Sequence, residues 1–251
     1  MPILSEQDRK TLQTRFKKDL KRDVTLTLYT VRSVGGLVLP GRECQTCSQT
    51  EELLTEMTKI SPHISLIIKD FYVEAEETQA KGIDRIPCIT LQAEGDEPSN
   101  LLFYGIPAGF EILTLIEDIV AASRGVSPLQ LSARKALRKL ETKVHLQVFV
   151  TPGCPHCPSV ARLAHAMAME TTMVDAEVVE AQEFPHLSQL YRVQAVPKTI
   201  INGVVEVLGA VSETTLLERV LNAVGQDDLL EGHAASRPEE APTGPTSAVG
   251  S

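Results

Sequence analysis

The sequence predicts an α/β fold made of two tandem copies of one unit, each a central mixed sheet flanked by helices, followed by a disordered C-terminal tail. Three observations carry this reading. Aliphatic and β-branched runs of strand length alternate with segments of helical period. Four marked residues recur at one spacing: subtracting positions gives 110 for Cys154 against Cys44, Cys157 against Cys47, Glu180 against Asp70 and Pro197 against Pro87. Past Gln226 the chain turns to Gly, Pro, Ser, Ala and Glu with almost no apolar side chains, too few to offset the entropy of ordering. The expected divisions are residues 1–126, 127–225 and a tail over 226–251.

In the first unit, Ser5 with Asp8 three residues on resembles a capping box, and Leu12, Phe16 and Leu20 then recur every fourth residue, so a leading amphipathic helix is expected. Val24 to Thr30 is β-branched and fit for a buried strand. A loop with Gly35-Gly36 and Pro40-Gly41 leads to Cys44-Gln45-Thr46-Cys47. The helix that follows places Leu53, Leu54, Met57 and Ile60 on one side. Ile64 to Ile68, Ile86 to Leu91 and Leu101 to Tyr104 read as further strands, and Glu111 to Val120 as a closing helix. Ser127 to Glu141 reads as a connecting helix.

The order then repeats, with strands at Val144 to Val150, Val174 to Val179, Val196 to Ile200 and Val204 to Leu208. Helices are expected from Cys154-Pro155-His156-Cys157 through Met169 and at Thr214 to Val224. The first strand departs from the spacing: Val144 stands 120 residues after Val24, so the first unit carries about ten extra residues between strand and cysteines.

The 251 residues, 43% of them hydrophobic, suffice for one large core or two ordinary ones. A net charge of −9 without a Lys/Arg run argues against nucleic acid and anionic membranes as partners. No apolar stretch approaches the roughly 18 residues of a membrane span, so a soluble protein is expected. Met1 to Asp8 turns acidic and polar at once, unlike a secretory signal, which suggests a cytoplasmic protein.

Five cysteines are too few and too paired for a secreted disulfide framework. Cys44 and Cys154 are placed to open a helix, where free N–H groups and the dipole stabilise a thiolate, and Cys47 and Cys157 follow one turn later as resolving thiols. A zinc or iron–sulfur protein using the same four cysteines is the alternative. The pairs belong to separate repeats with no further Cys or paired His beside them, and Pro155 removes a donor and stiffens the loop, so exchange chemistry is favoured. The shared offset of Pro87 and Pro197 points to cis prolines lining the dithiols, where the preceding backbone can pair with an extended substrate.

Together these residues resemble the protein disulfide oxidoreductase family of thermophilic archaea and bacteria, glutaredoxin-like proteins of two fused thioredoxin folds. The matching stretches are Leu4-Ser5-Glu6-Gln7-Asp8, Phe103-Tyr104-Gly105-Ile106-Pro107-Ala108-Gly109, Phe149-Val150-Thr151-Pro152-Gly153-Cys154-Pro155, Arg162-Leu163-Ala164-His165, Val179-Glu180-Ala181 and Ala195-Val196-Pro197-Lys198. They span nearly the whole chain to about Val224. The resemblance implies thioredoxin-like units and a cytoplasmic role in forming, reducing or rearranging protein disulfides. Both Cys44/Cys47 and Cys154/Cys157 are then redox centres, with no organic cofactor and with a thioredoxin-reductase-like flavoprotein as reductant. A related role is an electron-carrier module for a peroxiredoxin. Departures fall in the first unit: the longer loop before Cys44, and Cys88 after Pro87 where the second repeat has Lys198.

Pro155-His156 looks like the dipeptide of strongly oxidising thiol oxidases. A His156 imidazolium near the Cys154 thiolate would stabilise the reduced form, so Cys154/Cys157 is expected to be the more oxidising pair. Cys88 reads as a small core residue or as a third thiol able to trap the first site. Asp70 and Glu180 read as solvated strand-end charges or as acids serving the resolving thiols. His63, His165, His186 and His233 read as surface or helix-packing residues.

Overall fold

The computed structural model describes residues 4–31, 41–97 and 100–230. The leading helix α1 (Glu6–Asp19) forms as the capping box predicts: the Ser5 hydroxyl accepts from Asp8 N at 3.1 Å, and Leu12 and Phe16 are buried. Then follow β1 (Val24–Thr30), α2 (Cys47–Thr58), β2 (Ile64–Asp70), α3 (Ala75–Ala80), β3 (Cys88–Ala93), β4 (Leu101–Tyr104), a 3₁₀ turn (Gly109–Glu111) and α4 (Ile112–Arg124). The second set is α5 (Leu131–Leu137), β5 (Val144–Val150), α6 (Cys157–Glu170), β6 (Val174–Glu180), α7 (Pro185–Leu190), β7 (Lys198–Ile201), β8 (Val205–Leu208) and α8 (Glu213–Ala223).

Three local readings are corrected. Helices α3 and α7 went unpredicted, because six residues of mostly polar sequence show no apolar period. The connecting helix shrinks to α5, since flanking Pro128 and Arg138 to Lys143 leave few apolar side chains to bury. The tail was expected from residue 226, yet Asp227–Leu229 forms a 3₁₀ turn with Leu229 and Leu230 packed on the core, the last apolar pair before the polar sequence. The rest of that tail, 231–251, and the Gly35-Gly36 and Pro40 loop lie outside the described residues.

The strands form one eight-stranded sheet in the order β2-β1-β3-β4-β6-β5-β7-β8. Each half repeats one pattern, the first two strands parallel and the next two antiparallel. The halves join edge to edge where β4 pairs parallel with β6, from Leu101↔Ala176 to Tyr104↔Val179, so neither inner edge is left unpaired. Successive strand residues face opposite sides. Leu28, Val148 and Val178 thus point into the main core, and Tyr29, Phe149 and Val179 into a smaller cluster on the other face. Matched register puts Thr30↔Asp70 and Val150↔Glu180 at the strand ends that feed the cysteine loops.

The halves are also locked between helices. His165 of α6 takes the helix-packing alternative of its sequence reading: it is fully buried, with Nδ1 2.6 Å from Asp118 Oδ2 of α4 and Nε2 3.3 Å from Leu102 O. Burial pushes the Asp118 carboxyl up, against the pull of its histidine partner. Among the described residues no helix is long and apolar enough to cross a membrane.

Candidate functional site

Each dithiol lies where a parallel strand hands over to a helix. Cys44 and Cys47 are disulfide-bonded with Cα atoms 5.5 Å apart, as are Cys154 and Cys157. The helices start at the second cysteine of each pair. The first sits just outside the first turn, where its sulfur receives a helical N–H: Cys47 N lies 3.1 Å from Cys44 Sγ, and Cys157 N 3.1 Å from Cys154 Sγ. A thiolate there meets a backbone donor and the positive helix end, the arrangement that activates a nucleophilic sulfur.

Pro87 and Pro197 follow cis peptide bonds, as the shared spacing predicted. Their carbonyls are held alike, Gly105 N donating to Pro87 O at 2.9 Å and Gly209 N to Pro197 O at 2.8 Å. Val196 O lies 3.8 Å from Cys154 Sγ, which brings the second proline loop against its dithiol. Pro155 and His156 are exposed above that site, and the His156 side chain makes no helix cap.

Asp70 and Glu180 play the same local part. Asp70 Oδ1 accepts from Tyr72 N at 3.0 Å and Val73 N at 3.2 Å, and Glu180 accepts from Gln182 N at 3.2 Å and Glu183 N at 2.7 Å. Both cap the turn after their strand. Burial pushes the Glu180 carboxyl up, offset in part by those two N–H donors. Cys88 is fully buried beside Tyr29, Tyr104 and Phe149, and burial holds its thiol well above the ordinary range, which suits a core residue. Its counterpart Lys198 is buried too, bound to Tyr191 O at 2.7 Å and to Glu206 at 2.9 Å.

Two carboxylates that sequence reasoning missed stand at these sites. Glu111 closes the 3₁₀ turn, which abuts the loop into Cys154: Phe110 N donates to Pro152 O at 2.9 Å, and a Cβ on Gly109 (φ +58°) would meet that oxygen at 2.2 Å. Glu111 is fully buried. Its Oε2 accepts from Thr114 Oγ1 at 2.8 Å, while Oε1 has no hydrogen-bond partner. Burial raises this carboxyl to about 7.

Because the folded pKa lies above the unfolded one, the folded state holds a proton that the unfolded chain releases, so stability falls as pH rises from about 4.5 to 7. Replacing Glu111 by Gln is expected to remove this slope and to stabilise the protein at pH 8 relative to wild type, by at most about 3 kcal/mol. Urea unfolding of both proteins at pH 5 and pH 8 measures it, and parallel pH profiles would refute the assignment.

The second carboxylate, Glu183, crosses from the β6–α7 turn to the first site. The Thr46 hydroxyl donates to its Oε2, and Ile106 N donates to Oε1 at 2.7 Å. Nothing in the spacing marks Glu183, which reads as one more charge in a polar turn. Among the described residues no group of three or more His, Cys, Asp or Glu side chains is assembled as a metal site.

A family model described as a thioredoxin domain matches residues 144–222. Thioredoxin of Methanocaldococcus jannaschii is 36% identical over 80 residues, covering 32% of this chain and 94% of that protein. An alkyl hydroperoxide reductase component of Staphylococcus aureus is 26% identical over 192 residues, 76% of this chain, and the chain spans only 34% of its length. The crystal structure of a protein disulfide oxidoreductase from Aeropyrum pernix superposes with a TM-score of 0.78 at 27% identity, covering 88% of this chain and 94% of that one.

Proposed function

The chain belongs to the thioredoxin-fold disulfide oxidoreductases, and from that premise we propose that Cys154/Cys157 is the face that exchanges disulfides with protein substrates while Cys44/Cys47 serves as a relay. The observation that carries this is the contrast around the two pairs. At the position before the second cysteine, His156 is exposed, whereas Thr46 is half-buried and engaged by Glu183.

The enzyme is a thiol–disulfide oxidoreductase. The Cys154 thiolate displaces one sulfur of a substrate disulfide, which leaves as a thiolate and takes up a proton. Cys157 then displaces the other substrate sulfur, closing Cys154–Cys157 and passing two electrons. The 3₁₀ turn that ends at Glu111 packs on the loop into Cys154 through Phe110 N and Pro152 O, and we read the buried Glu111 carboxyl, raised to about 7, as a group able to hold or release a proton as the dithiol is consumed.

A thioredoxin-reductase-like flavoprotein returning the two electrons, and a peroxiredoxin as one consumer, agree with the likeness to the alkyl hydroperoxide reductase component. We read the chain as needing no organic cofactor, with Pro87 and Pro197 lining the two dithiols. We read the setting as cytoplasmic, because two C-x-x-C pairs in a chain of this length fit exchange chemistry in a reducing compartment better than a secreted disulfide framework.

With dithiothreitol as reductant, the protein is expected to accelerate insulin-disulfide reduction roughly tenfold or more over dithiothreitol alone. Glutathione equilibration is expected to leave Cys154/Cys157 at the higher potential, the effect of His156 beside the thiolate. No acceleration, together with visible absorbance or bound zinc after anaerobic purification, would move the assignment to a metal protein.

A further inference from the structure

The repeat places Val73 and Glu183 at the same point of the turn after the second strand of each unit, and the two side chains have opposite fates. Val73 is 78% exposed. Glu183 reaches across the junction between the halves and lies on the first dithiol site. Its Oε2 takes the hydroxyl of Thr46, the residue next to Cys47, and its Oε1 takes Ile106 N at 2.7 Å.

Thr46 is the N-cap residue of α2, yet its hydroxyl makes no cap to the helix and is spent on Glu183 instead. Ile106 follows Gly105, whose own N–H holds Pro87 O. The carboxylate therefore bridges the dipeptide between the cysteines and the loop beside the cis proline. An extended chain must lie between those two walls to bring its sulfur in line with Cys44.

The surroundings are built around this carboxylate. Gly105 has φ +96°, and a Cβ there would meet Glu180 Cβ at 2.7 Å and Glu183 Oε1 at 2.8 Å, so only glycine leaves the room. Glu180 holds the turn that presents Glu183 by accepting its N–H at 2.7 Å. At the second site the corresponding residues, His156 and Ala210, are exposed.

We propose that Glu183 is a specificity-determining residue of the Cys44/Cys47 site: an internal occupant that closes it to extended protein segments and leaves it open to small disulfides. This rests on the reading that Cys44/Cys47 exchanges disulfides. A protein segment pairing with Ile106 N must first displace a carboxylate holding two hydrogen bonds. A small disulfide needs only in-line access for the Cys44 thiolate, which attacks one of its sulfurs and expels the other as a thiol; Cys47 then attacks the Cys44 sulfur, releasing the second thiol and closing Cys44–Cys47, which dithiothreitol reduces.

The test uses the full chain with Cys154→Ser and Cys157→Ser, so that only the first site turns over, with dithiothreitol as reductant. Rates are compared for insulin and for hydroxyethyl disulfide, before and after Glu183→Ala. The ratio of insulin to small-disulfide kcat/KM is expected to rise about tenfold, the worth of a charged hydrogen bond that no longer has to be broken. Thr46→Val, which removes the other anchor of the carboxylate, is expected to move the ratio the same way and covers the case in which Glu183→Ala fails to fold. An unchanged or lower ratio overturns the proposal. A parent protein inert toward hydroxyethyl disulfide overturns the exchange reading beneath it.

Discussion

Cys154→Ser is expected to bring insulin-disulfide reduction down close to the rate of dithiothreitol alone, a loss of about tenfold or more, because a serine hydroxyl at neutral pH cannot replace the thiolate that opens the substrate disulfide. The matching change Cys44→Ser is expected to cost only several-fold with dithiothreitol as reductant. The small reductant can then reach Cys154/Cys157 directly, beneath the exposed Pro155 and His156, without passing through the first pair. Turbidimetric insulin assays of the two variants beside wild type decide the matter. Equal losses would mean two pairs working in series on the substrate, and no loss in either would remove disulfide exchange from the protein altogether.

His165→Leu is expected to destabilise the fold by about 3–5 kcal/mol, the cost of leaving a buried charged or polar partner uncompensated. Asp118 is the partner left behind, 4% exposed and bound to the ring at 2.6 Å, with Leu102 O losing its contact at the same time. The pair ties α4 to α6, so the loss should appear as a lower urea midpoint and a thermal midpoint reduced by roughly 10 °C. The double variant Asp118→Leu with His165→Leu is expected to recover much of this, because replacing both members removes the unpaired group. A single variant as stable as wild type would show that the pair contributes nothing net.

Much of the fold was legible because its cues are local. The β-branched run Val24–Thr30 and the run Val144–Val150 became β1 and β5 at the expected bounds, since strand-length apolar segments have nowhere else to bury their side chains. The Ser5 cap formed where Asp8 follows it. The cis prolines and both disulfides followed from positions shared by two repeats, which a single copy would have left ambiguous. Short polar helices such as α3 and α7 carry no such period and were invisible until packed.

Apolar patterning is a property of one segment and repeat spacing a comparison of two, and together they were enough to define the two-unit architecture and the four cysteines proposed to carry the chemistry. Other features came from packing alone: the sheet shared through β4 and β6, the burial of His165 against Asp118, and the presence of Glu111 and Glu183 at the two sites. Glu183 and Thr46 lie 137 residues apart. Their meeting depends on how two finished halves dock, and a carboxylate in a polar turn has the same sequence signature whether it faces water or a neighbouring dithiol.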